Sequence, residues 1–225
     1  RGEGAIVSYV RGNIAANQGH LKAAKSYFDE AIDTDPTHVR ARLNRASIHM
    51  ASGNAQDALD DANVLLELAP GLALAKLRRA EANMMLTNWE AAKDDLEVII
   101  EDAPHHHHAL TQLAACYISM DRPEKAEAPL NEALRLAPDH TDAWHQRGLL
   151  YLDWGREEAA LNDFEAAVRC DGSHLDARLH IAAIHHEAKR FVEASGAWKG
   201  VLAIEPDHAV ARRRKEECEM AIATM

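Results

Sequence analysis

Pro36, Pro70, Pro104 and Pro138 stand 34 residues apart, and the same step reaches Gly172 and then Pro206. A period held that often belongs to a chain built by stacking similar repeats, not to one folded around a single centre. Each repeat of such a stack buries its apolar side only against its neighbours. The stack leaves a long inner surface suited to holding another chain. With the proline at position 32, the repeats run 5–38, 39–72, 73–106, 107–140, 141–174 and 175–208. Residues 1–4 are expected to be disordered, and 209–225 to form a helix that caps the array.

Inside the repeat, two sites admit only small residues. Position 20 is Ala24, Ala58, Ala92, Ala126, Ala160 and Ala194; position 8 is Gly12, Ala46, Ala80, Ala114, Gly148 and Ala182. Two helices that cross closely need small side chains at the crossing, and a larger one would overpack it at a cost of about 1–3 kcal/mol. Position 24 is bulky in five repeats (Phe28, Leu96, Leu130, Phe164, Trp198) and is Ala62 in the other. Gly19, Gly53 and Gly155 mark a left-handed turn after a first helix. Asp-Pro, Ala-Pro, Glu-Pro or, once, Asp-Gly stops the second helix. Each repeat therefore reads as helix A, tight turn, helix B, proline turn, and the fold class as all-α.

These marks resemble the tetratricopeptide repeat over six repeats of 34 residues. The fifth repeat matches most fully, through Trp144, Gly148, Tyr151, Ala160, Phe164 and Ala167. Others depart: Ser8, Arg42, Lys76 and Arg178 stand at the Trp144 position, and His49 and His185 at the Tyr151 position. The resemblance implies a right-handed α-solenoid, or superhelix, whose concave groove is lined by the A helices and binds protein segments.

Charge adds to this. The chain carries a formal −11, against the broad basic surface that nucleic acid requires. In the first three repeats, however, the A segments hold Arg11, Arg40, Arg42, Arg45, Lys76, Arg78 and Arg79 against Glu81 alone, a net of +6. The paired B segments sum to −11. This sorting predicts a basic lining for an acidic or carboxylate-ended peptide. Arg11, Arg45, Arg79 and Arg147 share position 7, where the aliphatic stem can pack, so a structural role is favoured for them. Arg40 and Arg78 should reach the groove. In the later A segments the net charges are −1, −1 and 0, which predicts a groove with two chemically different ends.

The candidate peptide-binding residues are Tyr9, Asn13, Arg40, Asn44, Arg78, Gln112, His145, Gln146 and His180. Position 6 supplies a polar ladder (Asn44, Arg78, Gln112, Gln146, His180) able to hydrogen-bond an extended backbone. Some members of the family grip the acidic C-terminal tails of Hsp70 and Hsp90 chaperones with a five-residue carboxylate clamp. Asn13, Asn44 and Arg78 match that clamp, whereas its two lysines are replaced by Tyr9 and Leu74. The resemblance thus admits a co-chaperone with a degenerate clamp, beside an adaptor for some other acidic segment and a self-associating scaffold.

Five of the fourteen histidines (His38, His106, His140, His174, His208) end a repeat and read as punctuation before the next A helix. His105–His108 could capture Zn²⁺ opportunistically, and His145 with His180 should face each other near Asp142 and Asp176. No resident metal or other cofactor is expected. Cys116, Cys170 and Cys218 form no paired framework and suit a reducing, cytoplasmic setting. Cys116 falls among packing residues, where an inert thiol is expected, and no phosphate loop, HExxH or GxSxG motif is present. An enzyme is not indicated. No run approaches the roughly 18 apolar residues that span a membrane. The chain opens at Arg1 without methionine, which suggests a fragment or a processed form.

Overall fold

The computed structural model describes residues 2–225 as helices joined by short turns, in two compact units that meet in sequence at Asp121 and Arg122. The first unit contains α1 (Gly2–Asn17), α2 (Leu21–Thr34), α3 (Val39–Ala51), α4 (Ala55–Leu68), α5 (Ala73–Met85), α6 (Trp89–Asp102) and α7 (His107–Ser119). The second contains a 3-10 turn (Pro123–Lys125), then α8 (Glu127–Leu136), α9 (Thr141–Asp153), α10 (Glu157–Cys170), α11 (Leu175–Glu187), α12 (Phe191–Ile204) and α13 (Ala209–Ala223). Odd-numbered helices are A helices and even-numbered ones B helices. Helix α1 already begins at Gly2, so residues 2–4 are helical and not disordered as expected; Arg1 lies outside the described residues.

Close crossing explains the small positions. All six position-20 alanines are fully buried, as are Ala46, Ala80, Ala114 and Ala182 at position 8. The two glycines at position 8 answer to ring size. A Cβ on Gly12 would lie 2.5 Å from Phe28, and one on Gly148 would lie 2.8 Å from Phe164. Both rings are fully buried, each contributing about 2–3 kcal/mol. Where position 24 is Leu96, Leu130, Trp198 or Ala62, position 8 carries alanine instead. Glycine and phenylalanine therefore form a matched pair.

The turn between helices A and B needs a left-handed residue in every repeat. Gly19, Gly53 and Gly155 adopt φ of +75°, +76° and +67°. Thr87, Asp121 and Lys189 take the same step at +61°, +59° and +57°, which is strained for side chains with a Cβ and most of all for branched Thr87.

At the proline turns, His38, His106, His174 and His208 use Nδ1 to accept the backbone N–H three residues on, at 3.1–3.2 Å. The recurrent histidines are helix N-caps. Two of the departures from tryptophan at position 4, Arg42 and Arg178, are explained in the same place, as is Arg212 in the last helix. Trp144 donates its indole N–H to the Pro138 carbonyl at 2.8 Å. Arg42, Arg178 and Arg212 donate guanidinium N–H groups to the carbonyls of Pro36, Gly172 and Pro206, six residues back in each case. Arginine thus keeps the bond that tryptophan makes.

Candidate peptide-binding face

In the first unit successive A helices touch, α1 with α3 and α3 with α5, so their side chains share one face. Hydrogen bonds then link residues 31 apart, from position 9 of one A helix to position 6 of the next. Asn44 Nδ2 donates to Asn13 Oδ1 at 2.7 Å. Gln112 Nε2 approaches Glu81 Oε1 at 3.4 Å. Beside the asparagines lies an open depression of about 330 Å³, lined by Asn13, Ala16, Asn17, Phe28, Asn44, Ser47 and Ile48. With one hydrogen bond made between the two side-chain amides, Asn13 keeps its NH₂ and Asn44 keeps its carbonyl oxygen. A donor and an acceptor stand side by side, the complement of a peptide group.

The basic lining expected from charge counting is corrected by the structure. Arg45 is held by Asp61 at 2.5 and 2.9 Å and by Asp29 at 2.8 Å; Asp61 above all keeps its guanidinium protonated far beyond the ordinary range. Arg79 is bonded through two nitrogens to Asp95, at 2.6 and 2.7 Å. Arg42, buried, pairs with Asp61 at 3.2 Å, and Lys76 with Asp102 at 3.6 Å. The positive A segments and negative B segments are therefore two halves of ion pairs between helices. Arg147 repeats the arrangement with Asp163 in the second unit, at 2.7 and 2.8 Å.

Arg78 does lie on the shared face but is drawn onto Glu81 at 2.6 Å. Burial would raise the Glu81 carboxyl, yet His108, Arg78 and Gln112 together hold it below its usual range. Among the seven cations, only Arg40 and Arg11 lack an ion pair among the described residues; both are exposed. Tyr9, half-buried, packs 6.2 Å from the Phe28 ring and 5.0 Å from His38. Sequence reading missed Glu81 as the organiser of this cluster. The 31-residue offset that joins Asn13 to Asn44 would have pointed to it.

The second unit brings His145 and His180 together, with ring centroids 5.7 Å apart, and adds His174 at 4.7 Å from His145. Phe164 stacks on His180 at 4.8 Å. Burial, followed by the neighbouring imidazoles, lowers His145; burial also lowers His180 despite Asp176. Gln146 leaves its buried amide oxygen without a donor among the described residues, as Gln112 does in the first unit. Among the described residues no group of three or more His, Cys, Asp or Glu is placed to hold a metal ion. Cys116 is fully buried, and burial pushes its thiol up to about 11, far from a reactive thiolate. No described helix is long and apolar enough to cross a membrane.

Helical pairs repeated at this spacing, with these small crossings and capped turns, define an interaction repeat. Models of the tetratricopeptide repeat match residues 9–73, 74–106 and 113–179. The chain belongs to the tetratricopeptide repeat family, whose fold serves as a scaffold for contacts between proteins. It is similar to the MamA crystal structure, at 23% identity and a TM-score of 0.66, over 76% of this chain and 94% of that one. It is also similar to Cut9 in the APC/C Cut9–Hcn1 hetero-tetramer (18%, TM-score 0.81, 96% of this chain and 43% of that one). PilF of Pseudomonas aeruginosa gives 14% and 0.77 over 97% and 98% of the two chains. At these identities the likeness establishes the α-solenoid fold. A search of curated proteins gives no match.

Proposed function

We propose that the A-helix face of the first unit binds an extended peptide segment of a protein partner. Asn13 and Asn44 would hold the main chain, Gln112 would extend the contact, and exposed Arg40 would receive an acidic side chain. The observation that carries this reading is the Asn13–Asn44 pair, which offers a free donor and a free acceptor beside an open depression. A further solved relative at 22% identity and a TM-score of 0.59, YrrB, is described as a tetratricopeptide repeat protein with an unusual peptide-binding site, which accords with this use of the fold.

The acidic preference is narrower than charge counting suggests, since Arg40 is the one unpaired cation on α3, α5 and α7 among the described residues. A carboxylate clamp is the second reading, favoured by Asn13, Asn44 and Arg78. It is weakened by the Arg78–Glu81 pair and by Leu74, 42% exposed, where a lysine would stand. Titration with an acidic heptapeptide and its C-terminally amidated form separates the two. The main-chain reading expects equal affinities, and the clamp expects loss on amidation. Arg40→Glu should weaken binding of either peptide about tenfold, or ~1.4 kcal/mol. If neither Arg40→Glu nor Asn13→Ala/Asn44→Ala changes the affinity, this face is not the site.

A further inference from the structure

In the fourth and fifth repeats a tyrosine at position 11 spans from helix A to the B helix before it. Tyr117 donates its hydroxyl to Glu97 at 3.1 Å, and Tyr151 donates to Glu127 at 3.0 Å. Position 11 is His49 and His185 in the second and sixth repeats, Ala15 in the first and Asn83 in the third. Asparagine is too short for that span. Position 25, where Glu97 stands opposite Tyr117, is Asn63 opposite Asn83. An open pocket of about 370 Å³ lies there, lined by Leu59 and Asn63 of α4, Arg79 and Asn83 of α5, and Ala91, Asp94 and Asp95 of α6. These three helices lie inside the first unit, flanked by α3 and α7. The volume is that of a small-ligand site.

The walls suit a neutral ring. Arg79 bonds through two nitrogens to Asp95, as Arg147 does to Asp163. Arg147, however, lies 4.9 Å from the Trp144 ring and 5.6 Å from the Tyr151 ring, and its side chain is 17% exposed against 35% for Arg79. The guanidinium face of Arg79 stays open to a π system. Asn83 is 5% exposed, and its Oδ1 accepts from Asn88 at 3.3 Å. Its NH₂ has no acceptor among the described residues, and a buried donor of that kind favours a ligand oxygen. Asp94 and Asp95 disfavour an acid in the pocket, and Arg79 disfavours a base.

We propose that this pocket receives a tyrosine side chain presented by a partner protein. The ring lies over the Arg79 guanidinium and against Leu59 and Ala91, and its hydroxyl oxygen accepts from the Asn83 amide. The partner thereby supplies from outside the ring that the fourth and fifth repeats supply from within. A protein source fits the open mouth, which leaves the tyrosine backbone outside, where exposed Asn63 offers its amide to the adjoining main chain. The site stands apart from the peptide-binding face, whose residues occupy positions 2, 6 and 9.

Backbone amide NMR of the whole chain, titrated with N-acetyl-tyrosinamide, tests this. Saturable shifts are expected at residues 59–63, 79–83 and 91–95. N-acetyl-phenylalaninamide should bind about three- to tenfold more weakly, the worth of one hydrogen bond. Asn83→Leu, branched at the same atom but without the N–H, should erase that preference and keep the binding of the ring. Asn83→Tyr should fill the pocket from within and abolish binding of both amides. Ala91→Trp should block it equally from an exposed position on α6, where the fold is not at stake. Absence of saturable shifts, shifts that survive the two filling variants, or equal binding of the two amides to the unaltered protein overturns the proposal. Binding of p-cresol without binding of the tyrosine amide would assign the pocket to a free phenol and overturn the partner's tyrosine as well.

Discussion

Arg45 in the first unit and Arg147 in the second hold the same position in their repeats, yet different surroundings satisfy them. Arg45 lies between two carboxylates, Asp61 and Asp29, and its Asp61 is shared with buried Arg42. Arg147 has one carboxylate, Asp163, a neutral amide from Asn131, and the rings of Trp144 and Tyr151 at 4.9 and 5.6 Å. In three repeats an arginine at this position (Arg45, Arg79 and Arg147) joins helix A to an aspartate of helix B. What else touches it is free to diverge, and this freedom gives each unit its own chemistry: carboxylate and guanidinium around Glu81 in one, imidazole and aromatic ring around His145 in the other.

The largest effect should come from removing the shared acid. Asp61→Ala takes a carboxylate from two guanidinium groups, leaving Arg45 only Asp29 and buried Arg42 only the Pro36 carbonyl, and should cost about 3–5 kcal/mol in denaturant unfolding. Asp163→Ala should cost less, because the amide and the rings remain. Equal losses would show that the aromatic surroundings contribute nothing. Next come the glycine–phenylalanine pairs, where the two units should agree. Gly12→Ala and Gly148→Ala should each destabilise by about 1–3 kcal/mol, although alanine is the better helix former. Adding Phe164→Leu to Gly148→Ala should recover part of the loss, as the Ala80–Leu96 repeat implies. If Gly148→Ala is neutral, the ring moves aside and the pairing is incidental.

Acid should separate the units by the smallest margin. His145 and His180 are lowered in the fold, so the unfolded chain takes up protons first. The stability tied to their neutral forms is present above about pH 6.5 and is lost as pH falls below it. Glu81 and Asp29 are also lowered, but as carboxylates they keep their contribution until pH falls through the acid range. Hydrogen exchange at pH 7 and 5.5 should therefore show protection falling in α9 and α11, by less than about tenfold, while α3 and α5 hold. Parallel losses in both units would remove the distinction.

The period of prolines and the small residues at positions 8 and 20 are directly visible in sequence because packing repeats them in every turn of the array. Helix A, helix B and the turns follow from that. Side-chain partnership is less visible. Counting charges by helix separated Arg45 from Asp61 and Arg79 from Asp95, when each pair is one interaction divided between two helices. A net charge by segment cannot tell a lining from a bridge; the 16-residue offset between the partners could have. The left-handed Thr87, Asp121 and Lys189 were hidden for another reason, since only the register of the neighbouring repeats demands that conformation of residues that disfavour it.

At four of the turns between repeats the carbonyl accepts a hydrogen bond from the donor six residues later, indole at Trp144 and guanidinium at Arg42, Arg178 and Arg212. A joint that asks for a donor and not for a particular side chain tolerates wide drift. Copies of one ancestral module could then lose their likeness to one another while these seams stayed closed, leaving their outward residues at liberty to specialise.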